Sequence, residues 1–362
     1  MIRGSTYQRK DGRWECRLSF VDENGKRRYR SFYGKTKKEA EYKLEVASRS
    51  MVEKKEEITE MTVKDLATEW LYAVKNRVKE STLCNYRMKI EKHIVPAFGA
   101  VQCAVMKARM VYEFIEKKLG EGLSARYITD IMTLFKSIFR YGAREYDFKN
   151  AVDGIIMPKK TKPEIKMLDK KQIDTLSAYI NNNQNGTTLG IALSLYTGMR
   201  IGEVCALRWQ DIDIEKRILT VSHTIQRIQC FEGERRTKVV ITEPKSESSR
   251  RVIPIPDCLL LMLEQLSDKP DRFVLSGSLK PVEPRTMQNR FKRVLNNVNL
   301  PSTFRYHSLR HSMASTAIEL GFDVKTLSEI LGHSSVQITL DRYIHSSMEH
   351  KRSCMNLLTM AS

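Results

Sequence analysis

The sequence predicts a multidomain α+β protein: a small three-stranded sheet plus helix, then a helical bundle, then a mostly α domain with a small antiparallel sheet. Three observations lead there. Near the N-terminus, β-rich runs are joined by turns containing Asp11-Gly12 and Asn24-Gly25. Residues 60–157 keep helical spacing almost throughout. Beyond the lysine- and proline-rich stretch PKKTKPEIK at 158–166, apolar-periodic helices are interrupted by β-rich runs around a polar turn, VVITEPKSESSRRVIPIP. A charged run, VEKKEEITEM at 52–61, separates the first unit from the second, so the expected divisions are 1–56, 57–160 and 161–362.

In the first unit the predicted strands are 5–8, 13–21 and 26–33, and a helix opens at Thr36 with Glu39 three residues on, a capping box. Alternation along the second strand sends Trp14, Leu18 and Phe20 to one face and Arg17 and Ser19 to the other. The apolar face is expected under the helix. The other face, with Arg13, Arg27, Arg28 and Arg30 nearby, has the form of a β-sheet that reads the DNA major groove.

In the second unit Thr62 caps a predicted helix through Trp70 to Lys75, and Ser81 or Thr82 caps another that reaches Ile94 before Pro96-Ala97-Phe98-Gly99 breaks it. Helices near 105–119 and 124–146 follow, with Lys79, Arg87, Lys89, Lys92, Lys136 and Arg140 on faces left for phosphates.

The third unit carries an ordered set of reactive side chains: Arg200, Lys245, His307, Arg310, His333 and Tyr343. A phosphodiester repels nucleophiles, and its pentacoordinate transition state carries still more negative charge. Two arginines suit it, because a guanidinium stays charged and binds oxygens in a planar fork. A phenol needs a base and positive surroundings to attack near neutral pH. A lysine can protonate the leaving 5'-hydroxyl. The local sequence places each residue. SLYTGMRIGEVCALRW puts Arg200 after a glycine turn at a helix start, with Glu203 one turn on to orient it. Lys245 is expected near the tip of a hairpin, and His307 and Arg310 on one helical face. His333 follows a helix-ending Leu-Gly, and Tyr343 lies ten residues later on a short helix. Tyr306 and Tyr196 read as core or rim aromatics. His307 and His311 lack the Glu that a helical zinc-protease motif requires, and Ser308 stands in its place, so no metal is expected.

Composition bounds the same answer. Of 362 residues 62 are Lys or Arg and 43 Asp or Glu, a net charge of +19 that calls for a polyanionic partner, most simply nucleic acid. Seven widely spaced cysteines contain no Cys-x-x-Cys pair and fit a reducing cytosol. The first residues contain no apolar signal segment, and no run approaches the length of a membrane span.

The boxes TGMRIGE, PKSESSRR, HSLRH, LGH and DRYIH, in this order, resemble the catalytic signature of the tyrosine recombinases, specifically phage and conjugative-transposon integrases. The resemblance covers roughly residues 165–350, with one small departure at Ser308, where many members carry Asp. It implies that Arg200 and Arg310 grip the scissile phosphate, Lys245 is the general acid and His307 assists proton transfer. It further implies that His333 bonds the phosphate and Tyr343 is the nucleophile, leaving a 3'-phosphotyrosine. The three units then become an arm-type DNA-binding domain, a helical core-binding domain and a catalytic domain with a C-terminal tail that docks on a neighbour. The expected assembly is a homotetramer on core and arm sites, without cofactor, helped by an excisionase or host DNA-bending factor, in the bacterial cytoplasm at the nucleoid. The rival readings are a type IB topoisomerase and a non-catalytic DNA-binding regulator.

Overall fold

A computed structural model describes residues 4–21, 26–146, 148, 150–160, 166–231, 236–244, 247–343, 352, 355 and 356. The chain forms two compact units, Met1–Lys162 and Pro163–Ser362. Among the described residues no helix is long and apolar enough to cross a membrane.

The first unit opens with an antiparallel sheet, β1 (Gly4–Gln8), β2 (Trp14–Val21) and β3 (Arg27–Gly34), in the order β1-β2-β3. Helix α1 (Lys37–Glu60) packs on it, burying Cys16, Leu18 and Ala40. Thr36 Oγ1 accepts the Glu39 N–H at 3.2 Å, while the Glu39 carboxylate reaches back to the Lys35 N–H at 2.9 Å. The helix also absorbs most of the charged run at 52–61.

The register divides the arginines expected on one surface. Residues directly opposite in an antiparallel pair share a face. Arg17 pairs with Ser31 and Glu15 with Tyr33, so Arg17 lies on the face away from α1, and Arg27 shares the parity of Ser31. Arg30 pairs with buried Leu18 and Arg28 has the parity of Arg30, which assigns both to the α1 side of an edge strand. The open face has Glu15 at its centre, 1% exposed, accepting Ser31 Oγ at 2.7 Å, Arg9 at 3.0 Å and Arg17 at 3.1 Å. Arg9 and Arg13 lie over the Tyr33 ring and Arg17 over Tyr7.

The rest of this unit is helical: α2 (Val63–Val74), α3 (Glu80–Lys89), a π turn (Ile90–Ile94), α4 (Val95–Phe98), α5 (Ala108–Gly120) and α6 (Ala125–Tyr146). Thr62 forms the capping box, with Asp65 as its partner. The helix ends within the expected break at Pro96-Ala97-Phe98-Gly99, but it passes Ile94 and Pro96 first. The π turn takes the Val95 N–H to Ile90 O, and Pro96 falls in the first turn of α4, where no N–H is required, so the helix runs on to Phe98. Its start is also earlier than expected, with Lys79 at the cap position. In the core Phe98 stacks on Phe135 with centroids 5.0 Å apart, and Phe139 meets Phe135 edge-on at 4.8 Å. Lys136 and Arg140 are turned to their own chain: Lys136 donates to Asp153 O and Ile155 O, and Arg140 to the Asp153 carboxylate.

The second unit begins with α7 (Lys170–Asn182), α8 (Gly186–Thr197) and α9 (Ile201–Ala206). The strands β4 (Ile212–Asp213), β5 (Ile218–Val221), β6 (Thr224–Gln229), β7 (Thr237–Thr242) and β8 (Arg251–Pro254) follow. Further helices follow: α10 (Asp257–Leu266), α11 (Pro284–Asn297), α12 (His307–Glu319), α13 (Val324–Leu331) and α14 (Val336–Tyr343). Helix α8 is buried on nearly every side, with α7, α10, α11 and α12 packed around it.

The β-rich pair around Lys245 is not the expected hairpin. β7 pairs with β6, and β8 joins β4 and β5 in a separate sheet, so the two runs belong to different sheets. Buried Ile225 and half-buried Val239 contribute to the same core as Leu219 and Ile253, and each β-rich run satisfies its backbone with an upstream strand. Lys245 itself lies outside the described residues.

Hydrogen bonds from Ser31 and Tyr7, reinforced by Arg17 and Arg9, hold the Glu15 carboxyl at about 2 against its ordinary 4.5. A depressed carboxylate stabilises the fold above its unfolded pKa and loses that contribution as pH falls toward the folded one. The midpoint difference between the wild-type chain and Glu15→Gln in urea titrations is therefore expected to be full at pH 6 and to shrink below pH 4.5. A difference independent of pH would mean that the Glu15 charge does not organise this face.

Candidate active site

The site is assembled at the C-terminal end of α13. Gly332 sits in the left-handed region at φ 64°, and the Gly332 and His333 N–H groups bond back to Glu329 O and Ser328 O, a Schellman ending. That arrangement leaves the later carbonyls to find other donors. Three arginines supply them. Arg251 Nε donates to Ile330 O at 2.6 Å, Arg310 to Leu331 O at 2.7 Å, and Arg200 to Gly332 O at 3.0 Å. Cations at this end also complement the helix dipole.

Each arginine arrives from a different element. Arg200 stands just before α9 in extended conformation, its N–H and its guanidinium both donating to Glu203, at 2.9 and 2.8 Å. The preceding TGM turn needs its glycine: Gly198 has φ 69°, and a Cβ there would lie 2.6 Å from Leu331. Arg310, on α12 and 2% exposed, donates its other terminal nitrogen to Gly198 O at 2.7 Å. Arg251, at the start of β8, makes two bonds to Glu203, at 2.9 and 3.2 Å. Burial pushes the Glu203 carboxyl up, but the hydrogen bonds and charge of Arg251, with Arg200, outweigh it and leave it below the usual value.

Arg200, His307, Arg310 and His333 line one cavity of about 280 Å³, with Ser249 and Ile338 also in its wall. His333 is 9% exposed, and its Nδ1 is 2.8 Å from Oγ1 of fully buried Thr339. His307, the first residue of α12, meets His311 edge-on with ring centroids 4.6 Å apart. Among the described residues no group of three or more His, Cys, Asp or Glu is placed to hold a metal. The backbone of α14 ends at Tyr343, ten residues beyond His333, and the Tyr343 side chain is outside the described set. Four of the six expected residues are therefore brought together, and Lys245 and the Tyr343 phenol lie outside what is described.

Tyr306 belongs to the core. Its hydroxyl donates to Gly190 O at 2.6 Å and accepts from Ser194, and burial raises its pKa far above the ordinary phenol. Tyr196 is half-buried, with its hydroxyl 2.7 Å from Ser177 Oγ. Ser308, at the departure from the common pattern, is buried, and its Oγ accepts the Arg305 N–H at 3.3 Å.

Sequence reading did not find Ser249, Arg251 or Thr339. The signal for Arg251 was strand parity, because it shares the inward face of β8 with Ile253.

Two arginines and two histidines thus line one cavity, in the chain order Arg200, His307, Arg310 and His333. Residues 166–350 match the model of the "Phage integrase family", and residues 62–119 match "Phage integrase, N-terminal SAM-like domain". The first match spans more than half of the chain, which belongs to the phage integrase family: it is a tyrosine recombinase of integrase type, a site-specific DNA recombinase. It is 28% identical over 366 residues to the "Tyrosine recombinase XerC-like" protein of Caldanaerobacter subterraneus subsp. tengcongensis, covering 93% of each chain. The Tn1549 transposon integrase, solved in complex with a circular intermediate DNA, shares the fold with a TM-score of 0.69 and 23% identity, over 82% of this chain and 99% of that one. A lambda integrase tetramer bound to a Holliday junction aligns with a TM-score of 0.61 and 18% identity, over 95% and 97% of the two chains.

Thr339→Val keeps the shape of that buried side chain but leaves His333 Nδ1 without its hydroxyl partner. Strand cleavage is expected to slow roughly 3- to 10-fold with the melting temperature nearly unchanged. Unchanged single-turnover rates would show that other contacts orient the ring.

Proposed function

We propose that the chain integrates or excises a mobile element by cutting and rejoining double-stranded DNA at specific sites through a 3'-phosphotyrosine. The observation that carries this is the cavity in which Arg200, Arg310, His307 and His333 converge beside the helix that ends at Tyr343. The scissile phosphate sits in that cavity. Arg200 and Arg310 donate to its non-bridging oxygens, and because their carbonyl contacts already fix them, little reorganisation is needed as charge develops. With Nδ1 engaged by Thr339, His333 meets the phosphate through Nε2. His307 takes the proton from Tyr343, whose oxygen attacks phosphorus in line. Lys245 protonates the departing 5'-oxygen. One ester replaces another, so the reverse reaction joins a new strand without ATP.

The division into an arm-type domain at 1–56, a core-binding domain at 57–160 and a catalytic domain at 161–362 belongs to the same proposal. In it Arg13, Arg17 and Arg27 on or beside the open face of the first sheet contact arm DNA, with Arg28 and Arg30 at its edge. Lys79 and Arg87 on or beside α3 contact core DNA. Exchange between two duplexes requires four active sites, hence a homotetramer whose C-terminal tail docks on a neighbour. An excisionase or a host DNA-bending factor sets direction, and the work is done in the bacterial cytoplasm at the nucleoid. The similarity to a transposon integrase and to the junction-bound lambda tetramer supports this over a monomeric type IB topoisomerase or a silent regulator.

With a half-site suicide substrate, a covalent protein–DNA adduct is expected in EDTA without ATP and is expected to vanish in Tyr343→Phe. An adduct that survives the substitution removes Tyr343 as nucleophile. Lys245→Ala is expected to slow cleavage of a normal 5'-oxygen ester by roughly 10²-fold or more, but to slow a bridging 5'-thiolate far less, because that group leaves without a proton. Equal slowing of both substrates would take the acid role from Lys245.

A further inference from the structure

Arg251 belongs to no role described so far. It does not line the cavity, yet it is 8% exposed and touches three parts of the site's frame. Two bonds reach the Glu203 carboxylate, which itself anchors both the backbone and the guanidinium of Arg200. Its Nε holds Ile330 O, two residues before the turn that presents His333. A Cβ on Gly332 would stand 2.9 Å from its terminal nitrogen, so the guanidinium is packed directly against that turn. Its own Ser249 O, 3.2 Å away, ties it to the wall of the cavity.

We propose that Arg251 is a positioning residue for strand cleavage, setting Arg200 through Glu203 and His333 through the α13 terminus without touching DNA. This rests on the recombinase reading above. The planar fork is what the role requires. One guanidinium can face a carboxylate with its terminal nitrogens and still direct Nε at a carbonyl, whereas a lysine ammonium, a single point charge, cannot occupy both places. The charged groups facing Glu203 are Arg251 from β8 and Arg200 at the head of its own helix. Once the Arg251 fork is lost, burial acts on Glu203 with one partner fewer, and its carboxyl rises. Protonated Glu203 releases Arg200.

The test uses the full chain with Arg251→Lys and Glu203→Gln, measuring half-site affinity by gel shift and single-turnover cleavage of the suicide substrate across pH 5 to 8. Both variants are expected to bind DNA within about 2-fold of wild type and to cleave at least ~10-fold more slowly, an effect on rate rather than binding. Arg251→Lys is expected to gain an acid limb at higher pH than wild type, and Glu203→Gln, with no carboxyl to titrate, to show none. Wild-type rates in Arg251→Lys, or a loss that follows the folded fraction with an unshifted pH profile, overturns the inference. Should Arg251→Lys fail to fold, wild-type cleavage by Glu203→Gln overturns it equally, since the fork would then act on nothing. Absence of an adduct from the wild-type chain is a different result and counts against the recombinase reading instead.

Discussion

The end of one short helix is the constraint on which the site depends. Helix α13 stops at Gly332 in a left-handed turn, and three successive carbonyls, of Ile330, Leu331 and Gly332, are taken by arginines from β8, α12 and the start of α9. Unpartnered, the buried Leu331 carbonyl alone would cost about 1–3 kcal/mol. Partnered, the three carbonyls fix three guanidinium groups and the following His333 relative to one another. A single helix terminus thus serves as the ruler for residues that are separated by more than a hundred positions in the chain, as Arg200 and Gly332 are by 132.

The electrostatic design follows from that choice of partners. Carbonyl dipoles satisfy hydrogen-bond geometry without cancelling charge, so the cavity wall keeps the positive potential of Arg200 and Arg310, and no carboxylate among the described residues lines it. Glu203 is the carboxylate close at hand, and it is set back behind Arg200 and shared with Arg251, so that it steers one arginine without neutralising the pocket. Removing one side of such a buried pair commonly costs about 3–5 kcal/mol, because the charge left behind has lost its solvent. The same geometry that orients the site therefore also binds β8 to α9 and α13.

The first sheet uses a carboxylate in the opposite way. Glu15 lies under its arginines in the middle of the open face, joined to Arg9, Arg17 and Ser31, with Tyr7 and Tyr33 stacked against the guanidinium groups. Here the negative charge restrains long side chains at an exposed surface. Arginines organised in this way lose less conformational freedom on meeting a partner.

The sequence by itself determined much. Turn dipeptides and alternation located the first sheet, periodicity located most of the helices, and the Gly-Met-Arg, His-x-x-Arg and Leu-Gly-His boxes gave four residues that do converge, because each was set by a local cap, turn or helical face. Strand partnership was not local. The runs on either side of Lys245 look like a hairpin, yet they join different sheets, since β6 and β5 compete for them and win by core packing. The helix that crosses Pro96 was hidden for a similar reason, its π turn being a backbone adjustment with no side-chain signature. Only the tertiary structure decided which donors meet the α13 carbonyls, and hence that Arg251 belongs to the frame of the site. A hydrogen bond across 79 residues leaves no spacing to read.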